Sequence, residues 1–309
     1  MSTQIKTRQQ FYTAMYRAAV ENYSTLSIRN LKRRICFMQS AAKNRLEISN
    51  FIGRIERLNN QHLSVSAKML GVIDWPYIHN MWDVKTKLNK LAVHYEILSK
   101  TFSQLTQINT NYKVIDFNHV SNQVSIELDQ APWFIREGEL VLNVFRDGLR
   151  VASMAFTLSD VDNEVVAYIG AVQGIHSGIP SDESLEIYKI LTKDFEGLRP
   201  RSLLLEALKV VLAQLNVKKM WGVAEQHRHH RHKYFSHNIN AVSLKNDYNV
   251  FWEEHEGVLD QASGFYALPI ALSIKDMSEI VSKKRSMYKR RYEIIEYLKS
   301  NIDLRNTSV

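Results

Sequence analysis

The sequence predicts an α+β protein: a helical N-terminal region, a mixed sheet in the middle and a basic helix at the C-terminus. Three observations predict it. Apolar residues recur at helical spacing over roughly the first hundred positions, and the apolar period switches to two between residues 112 and 172. A nearly continuous apolar strand then leads through helical sequence to a second short strand, the pattern of a strand–helix–strand crossover. These patterns divide the chain into a helical region at 1–108 and an α/β domain with its basic helix at 109–309.

Phe11, Met15, Ala18, Ala19 and Tyr23 fall on one helical face, and Leu31, Ile35, Met38 and Ala42 are expected to form a second. A break at Gly71–Pro76 precedes a later helix carrying Leu88, Leu91, Ala92, Tyr95 and Leu98. Trp75, Tyr77 and Trp82 read as packing anchors, with ligand contact or a partner's grip as the alternatives. In the middle, Val124, Ile126 and Leu128 alternate with polar residues, as in a half-buried strand. Leu140–Phe145 and Val151–Leu158 flank Arg146-Asp147-Gly148, a hairpin signal because Asp-Gly tolerates positive φ. The run Val165–Val172 suits a central strand covered on both faces. Gly197-Leu198-Arg199-Pro200-Arg201-Ser202 opens a helix apolar almost all round, and Met220–Ala224 is the second strand of the crossover. A basic helix is expected over Lys275–Ser300, with Met287, Ile294, Ile295 and Leu298 inward.

Of 309 residues, 45% are apolar, normal for a packed globular protein. The single cysteine, Cys36, excludes an internal disulfide framework and any multi-cysteine metal site, and is expected to be a buried structural thiol. The N-terminal residues lack the apolar core of a signal peptide, and no apolar run approaches a membrane span, so a cytoplasmic protein is expected, or one peripheral at the inner membrane. The formal charge of +8 is clustered at Lys32–Arg34, Arg228–Lys233, Lys283–Arg285 and Lys289–Arg291. Such clusters favour an anionic partner (nucleic acid, acidic lipid or a phosphorylated donor), or serve solubility alone.

Arg199 and Arg201 stand where the helix dipole is positive and cations are unfavourable by about 0.3–1 kcal/mol each. A bound phosphate, held with Ser202 and backbone N–H groups, would offset them; local pairing with Glu196 and Glu206 is the alternative. Gln173-Gly174, with His176 and Gly178, follows the central strand: Gln173 and His176 could orient an acceptor or move its proton and the backbone N–H groups there could polarise the donor carbonyl, or the segment is an ordinary loop. Glu225 and His227 follow the next strand as candidate bases, and Tyr266 is a candidate leaving-group acid. No pair among His227, His229, His230, His232 and His237 has i,i+4 spacing, so the run reads as a basic patch rather than a metal site. GxSxG, Walker, GxGxxG and HExxH patterns are absent.

Several blocks resemble the VirK/YbjX family of Gram-negative bacteria. They are Tyr168–Gly174, Gly197–Arg201, His227, Phe251–Glu254 with Gly257, Gly264–Pro269, Ser282–Ser286 and Tyr288–Tyr292. The helical half resembles the family more loosely, chiefly at Leu88–Leu98. The resemblance implies association with virulence, surface remodelling and resistance to antimicrobial peptides, without a settled reaction. The histidine run after His227 is denser than the family pattern. The order of elements also resembles, more weakly, the GNAT acyltransferase core. That resemblance implies transfer from acyl-CoA, acyl carrier protein or aminoacyl-tRNA to a peptide, protein or lipid acceptor. The GNAT pyrophosphate loop, with its close glycine spacing after the central strand, is not matched here.

Overall fold

A computed structural model describes residues 7–58, 63–235 and 248–305. The N-terminal Met1–Lys6 and His237 lie outside them.

Four helices, α1 (Arg8–Asn22), α2 (Ile28–Lys43), α3 (Arg45–Arg57) and the short α4 (Ala67–Leu70), lead to the long α5 (Val84–Thr101). Thr7 and Gln10 form a reciprocal capping box at the start of α1, which buries Phe11, Met15, Ala18 and Ala19. In α2 the buried face is Phe37 and Ala41, whereas Leu31 and Ile35 are exposed, so the expected stripe is rotated. Cys36 is exposed as well, correcting the expectation of a buried thiol. Trp75, Tyr77 and Tyr95 are buried and Trp82 is half-buried, so these four offer little surface to a partner.

The sheet follows. Strands β1 (Tyr112–Asp116), β2 (Val124–Asp129), β3 (Leu140–Arg146), β4 (Leu149–Val161) and β5 (Glu164–Gln173) form an antiparallel meander. Asp147 and Gly148, at φ 50° and 75°, make the β3–β4 turn. Helices α6 (Ser181–Asp194) and α7 (Pro200–Gln214) cross over to β6 (Lys219–Val223), parallel to β5. Helix α8 (Tyr248–Glu254) and strands β7 (Val258–Asp260) and β8 (Phe265–Leu268) complete the order β1-β2-β3-β4-β5-β6-β8-β7. Helix α9 (Ser282–Asn301) begins later than expected, and buries Ile294, Ile295 and Leu298. The fold is therefore α+β, as the apolar periods require.

One apolar core joins the N-terminal helices to the sheet. Helix α7 runs through it, buried at every position from Leu203 to Leu212. Two of those residues are charged: Lys209 Nζ lies 2.9 Å from Glu206 Oε1, and Ser273 supplies both with further hydrogen bonds. Buried charges persist only when paired in this way.

A bulge sets up the functional corner. Ala155 pairs with Ala171 and Phe156 with Ile169, so Gly170 is an extra residue in β5. A side chain there would collide with the carbonyl of Glu137. The parallel pairing also stops at this level, at Ile169↔Gly222. Beyond the bulge β5 continues without β6, and the side chains that follow are re-aimed.

Candidate functional site at the end of the central strand

Gln173 and Gly174 are neighbours on opposite faces of the sheet. Gln173 Nε2 donates to Glu137 Oε2 at 2.9 Å, while a side chain at Gly174 would strike the Tyr188 hydroxyl and the Arg201 guanidinium. Strand alternation after the bulge accounts for the split. Two sites thus meet at this strand end.

On the helical-crossover face lies a cleft of about 1010 Å³ between α6, the start of α7, α8 and α9. Its lining carries five cations, Lys189, Lys193, Arg199, Arg201 and Arg290, against two carboxylates, Glu196 and Glu254. Arg199 is the N-cap residue of α7, Pro200 takes the first turn, and no side chain caps the helix. Its first-turn N–H groups have no intrahelical partner, so an anion would be favoured there. Local pairing exists but is not the pairing expected from sequence. Arg199 reaches Glu254 at 3.3 Å with its side chain 69% exposed, Glu196 is held by Arg290 at 2.7 Å, and Glu206 belongs to buried Lys209. The Ser202 hydroxyl lies 3.1 Å from His255 Nε2, whose Nδ1 is 2.8 Å from the Phe251 carbonyl.

The other face holds a buried polar corner. Glu137 is 2% exposed, Arg228 4% and His229 4%. Three loops are tied together here: Ile78 N donates to the Arg136 carbonyl at 2.7 Å, and His229 N donates to the Ile78 carbonyl at 3.0 Å. Ile78 holds φ 53°, a left-handed conformation that a β-branched residue adopts only under surrounding constraint. Arg228 stacks 3.7 Å over the Tyr248 ring and pairs with Glu225 at 3.1 Å. Burial pushes the Glu137 carboxyl up to about 7, against the opposing pull of Arg228 and the Gln173 hydrogen bond. Burial, with Arg228 and Arg136 nearby, lowers His230 to about 4, and burial followed by the His230, Arg228 and Arg136 charges holds His229 well below its usual range.

The remaining sequence candidates are dispersed. Glu225 is clamped between Arg228 and Arg231, at 3.1 and 2.8 Å. His227 stacks on His79 with ring centroids 4.6 Å apart, and its Nδ1 is buried without a hydrogen bond. Phe265 packs on that same His79, so the next residue, Tyr266, points to the opposite face, where its hydroxyl donates to Glu253 at 2.8 Å. Tyr266 is thus not brought to His227. His176 is exposed and accepts from Gly178 N within its own loop.

Sequence reasoning missed Glu137, Arg136, Tyr248 and Tyr188, and read Arg228 only as part of a basic cluster. The one available signal was Arg136-Glu137-Gly138-Glu139, a charged run between the apolar Phe134-Ile135 and Leu140-Val141-Leu142.

No solved structure matches the chain at a significant level. It is 30% identical to the "Uncharacterized protein YbjX" of Escherichia coli strain K12 over 228 residues, 72% of this chain and 67% of that protein. Two uncharacterized proteins of Haemophilus influenzae are each 27% identical, over 54% and 62% of this chain and 52% and 60% of theirs. Residues 27–303, most of the chain, match the model of the family described as "Protein of unknown function (DUF535)", and this chain belongs to that family.

Proposed function

We propose that this protein is an acyltransferase of GNAT-like build. It would move an acyl or aminoacyl group from a phosphate-bearing donor (acyl-CoA, acyl carrier protein or aminoacyl-tRNA) to an amine or hydroxyl on a peptide, protein or lipid. The observation that carries the reading is the cationic cleft opening beside Gly174, at the end of the strand from which β6 has parted. Ligands of α/β units collect at such strand ends.

In this scheme Arg199, Arg201 and Ser202 hold the donor phosphate at the start of α7. The donor carbonyl lies along Gln173-Gly174. The acceptor nitrogen or oxygen attacks that carbonyl, the new C–N or C–O bond forms, and the negative charge collects on the carbonyl oxygen. Collapse breaks the bond to the donor sulfur or oxygen, which leaves with a proton. None of Glu225, His227 and Tyr266 lines the cleft, and His227 packs on His79 on the face away from α8, so the proton lost by the acceptor passes to solvent. Calorimetric titration with acyl-CoA tests the donor assignment: Arg201→Ala is expected to weaken binding roughly 10- to 100-fold. His227→Ala, away from the cleft, should leave donor affinity unchanged. Equal affinity for wild type, Arg199→Ala and Arg201→Ala would remove the donor site.

A second reading, binding to an anionic membrane surface linked to envelope remodelling, is favoured by α2. Ile28, Leu31 and Ile35 are exposed at i, i+3 and i+7, next to exposed Leu26 and the cations Arg29 and Lys32. Among the described residues no helix is long and apolar enough to cross a membrane. Co-sedimentation with phosphatidylglycerol vesicles, lost in Ile28→Ser/Ile35→Ser and absent with phosphatidylcholine, would support this reading. Sedimentation unchanged by the substitutions would dismiss it.

A further inference from the structure

The buried corner contains polar atoms that nothing in the fold satisfies. Glu137 Oε1, His229 Nδ1 and His230 Nδ1 have no hydrogen-bond partner and are shielded from solvent. An unpaired buried donor or acceptor costs on the order of 1–3 kcal/mol. One carboxylate oxygen of Glu137 and one ring nitrogen from each of His229 and His230 lie within 4.8 Å of one another. The Glu137 Oε1 to His229 Nδ1 separation is 3.8 Å. Two donors on a tetrahedral zinc ion stand about 3.3 Å apart, so the Glu137–His229 pair would close by about 0.5 Å and the widest pair by up to about 1.5 Å, within the reach of side-chain rotation.

We propose that Glu137, His229 and His230 bind one divalent transition-metal ion of the zinc class. One carboxylate oxygen and two imidazole nitrogens form a donor set known for open, reactive metal sites, in which a fourth position takes water or substrate. His230 is half-exposed, which leaves solvent access at that side. The other half of the carboxylate is already fixed, since Glu137 Oε2 accepts from Gln173 Nε2, and hydrogen-bonded ligands of this kind hold their geometry.

The cations nearby bear on the charge balance. Arg228 Nη2 is 3.8 Å from Glu137 Oε1, too far for a hydrogen bond, and its Nη1 is committed to Glu225 at 3.1 Å. Arg136 is drawn over the rings of Trp75, Tyr234 and Phe235, with its Nε unpartnered. Glu225 and the aromatic faces therefore absorb much of the positive charge that would oppose an ion. The spacing rule that argued against a metal in the histidine run considered the run alone. The missing ligand comes from a loop roughly 90 residues earlier in the chain.

The ion site is independent of the donor cleft, and its test reads no turnover. Full-length protein without a histidine tag would be stripped with chelator, then titrated with Zn²⁺ by calorimetry and with Co²⁺ by visible absorption. Elemental analysis of the unstripped protein would identify the resident ion. The expected result is one ion per chain and tetrahedral-type Co²⁺ bands. Glu137→Gln, His229→Asn and His230→Asn should each weaken binding by roughly tenfold or more. His232→Asn, outside the set, should bind as wild type does. If His229→Asn does not fold, the half-exposed His230→Asn carries the test alone. Iron or manganese bound by the same three residues would keep the site and change the ion. No saturable binding, or binding that the Glu137 and His230 substitutions leave unchanged, would overturn the proposal.

Discussion

Gln173 and Gly174 serve opposite faces because successive strand residues alternate, and Gly170, the extra residue in β5, sets which of the two faces the cleft, with consequences local enough to measure. Gly174→Ala would push a methyl group into Tyr188 and Arg201. It is expected to weaken acyl-CoA binding in a titration and to lower the thermal midpoint, because the Tyr188 hydroxyl that the methyl group displaces accepts from Ile175 N at 2.7 Å. His94 illustrates a different residue-scale effect. It is fully buried, accepts from Leu158 N at 3.1 Å, and burial lowers it to about 3. Above the unfolded value of about 6.5 both states carry a neutral ring and the fold keeps its full stability. As pH falls from there towards about 3 the unfolded chain takes up the proton first, so stability is lost across that window, on the order of 2 kcal/mol by about pH 4.5. Urea unfolding should show that His94→Gln is weaker near neutrality but loses less between those pH values than wild type. An identical acid limb in both proteins would show that His94 is not responsible.

At the scale of elements, α7 carries both the apolar spine of the crossover and the arginines of the cleft. Its buried Glu206–Lys209 pair offers a clean test. Lys209→Met alone leaves a buried carboxylate facing Ser273 and is expected to cost roughly 3–5 kcal/mol in chemical denaturation. Glu206→Leu/Lys209→Met together should recover most of that loss, because neither charge then remains unpaired. A double variant no better than the single would mean that the pair contributes through its geometry. Helix α7, the β3–β4 hairpin and the central strand were legible in the sequence because each is set by local chemistry: Pro200 at the first turn, Asp147-Gly148 at the turn, an unbroken apolar run in β5. Helix α2 was legible as a helix but not in its facing. Several apolar residues lie on more than one side of it, and tertiary packing chose Phe37 and Ala41 over Leu31 and Ile35. Arg199 and Arg201 could be read as helix-start residues. The partner of Arg199, Glu254, could not, since it lies on α8, beyond the next strand.

At the scale of the molecule, the sheet brings a cationic cleft and a buried polar corner to the two faces of one strand end. The corner escaped the sequence for a physical reason. Glu137, Gln173 and His229 are joined by a bulge, a strained Ile78, two loop-to-loop hydrogen bonds and the Gln173–Glu137 contact, none of which leaves a periodic trace. Family membership fixes neither donor nor acceptor, so the cleft carries the functional argument. Hydrogen–deuterium exchange with saturating acyl-CoA tests it most directly. The expected result is protection concentrated in three segments, residues 174–181, 196–203 and 249–254, with the remaining peptides unchanged. Protection absent from all three, or located elsewhere on the chain, would contradict the assignment of the cleft as the donor site.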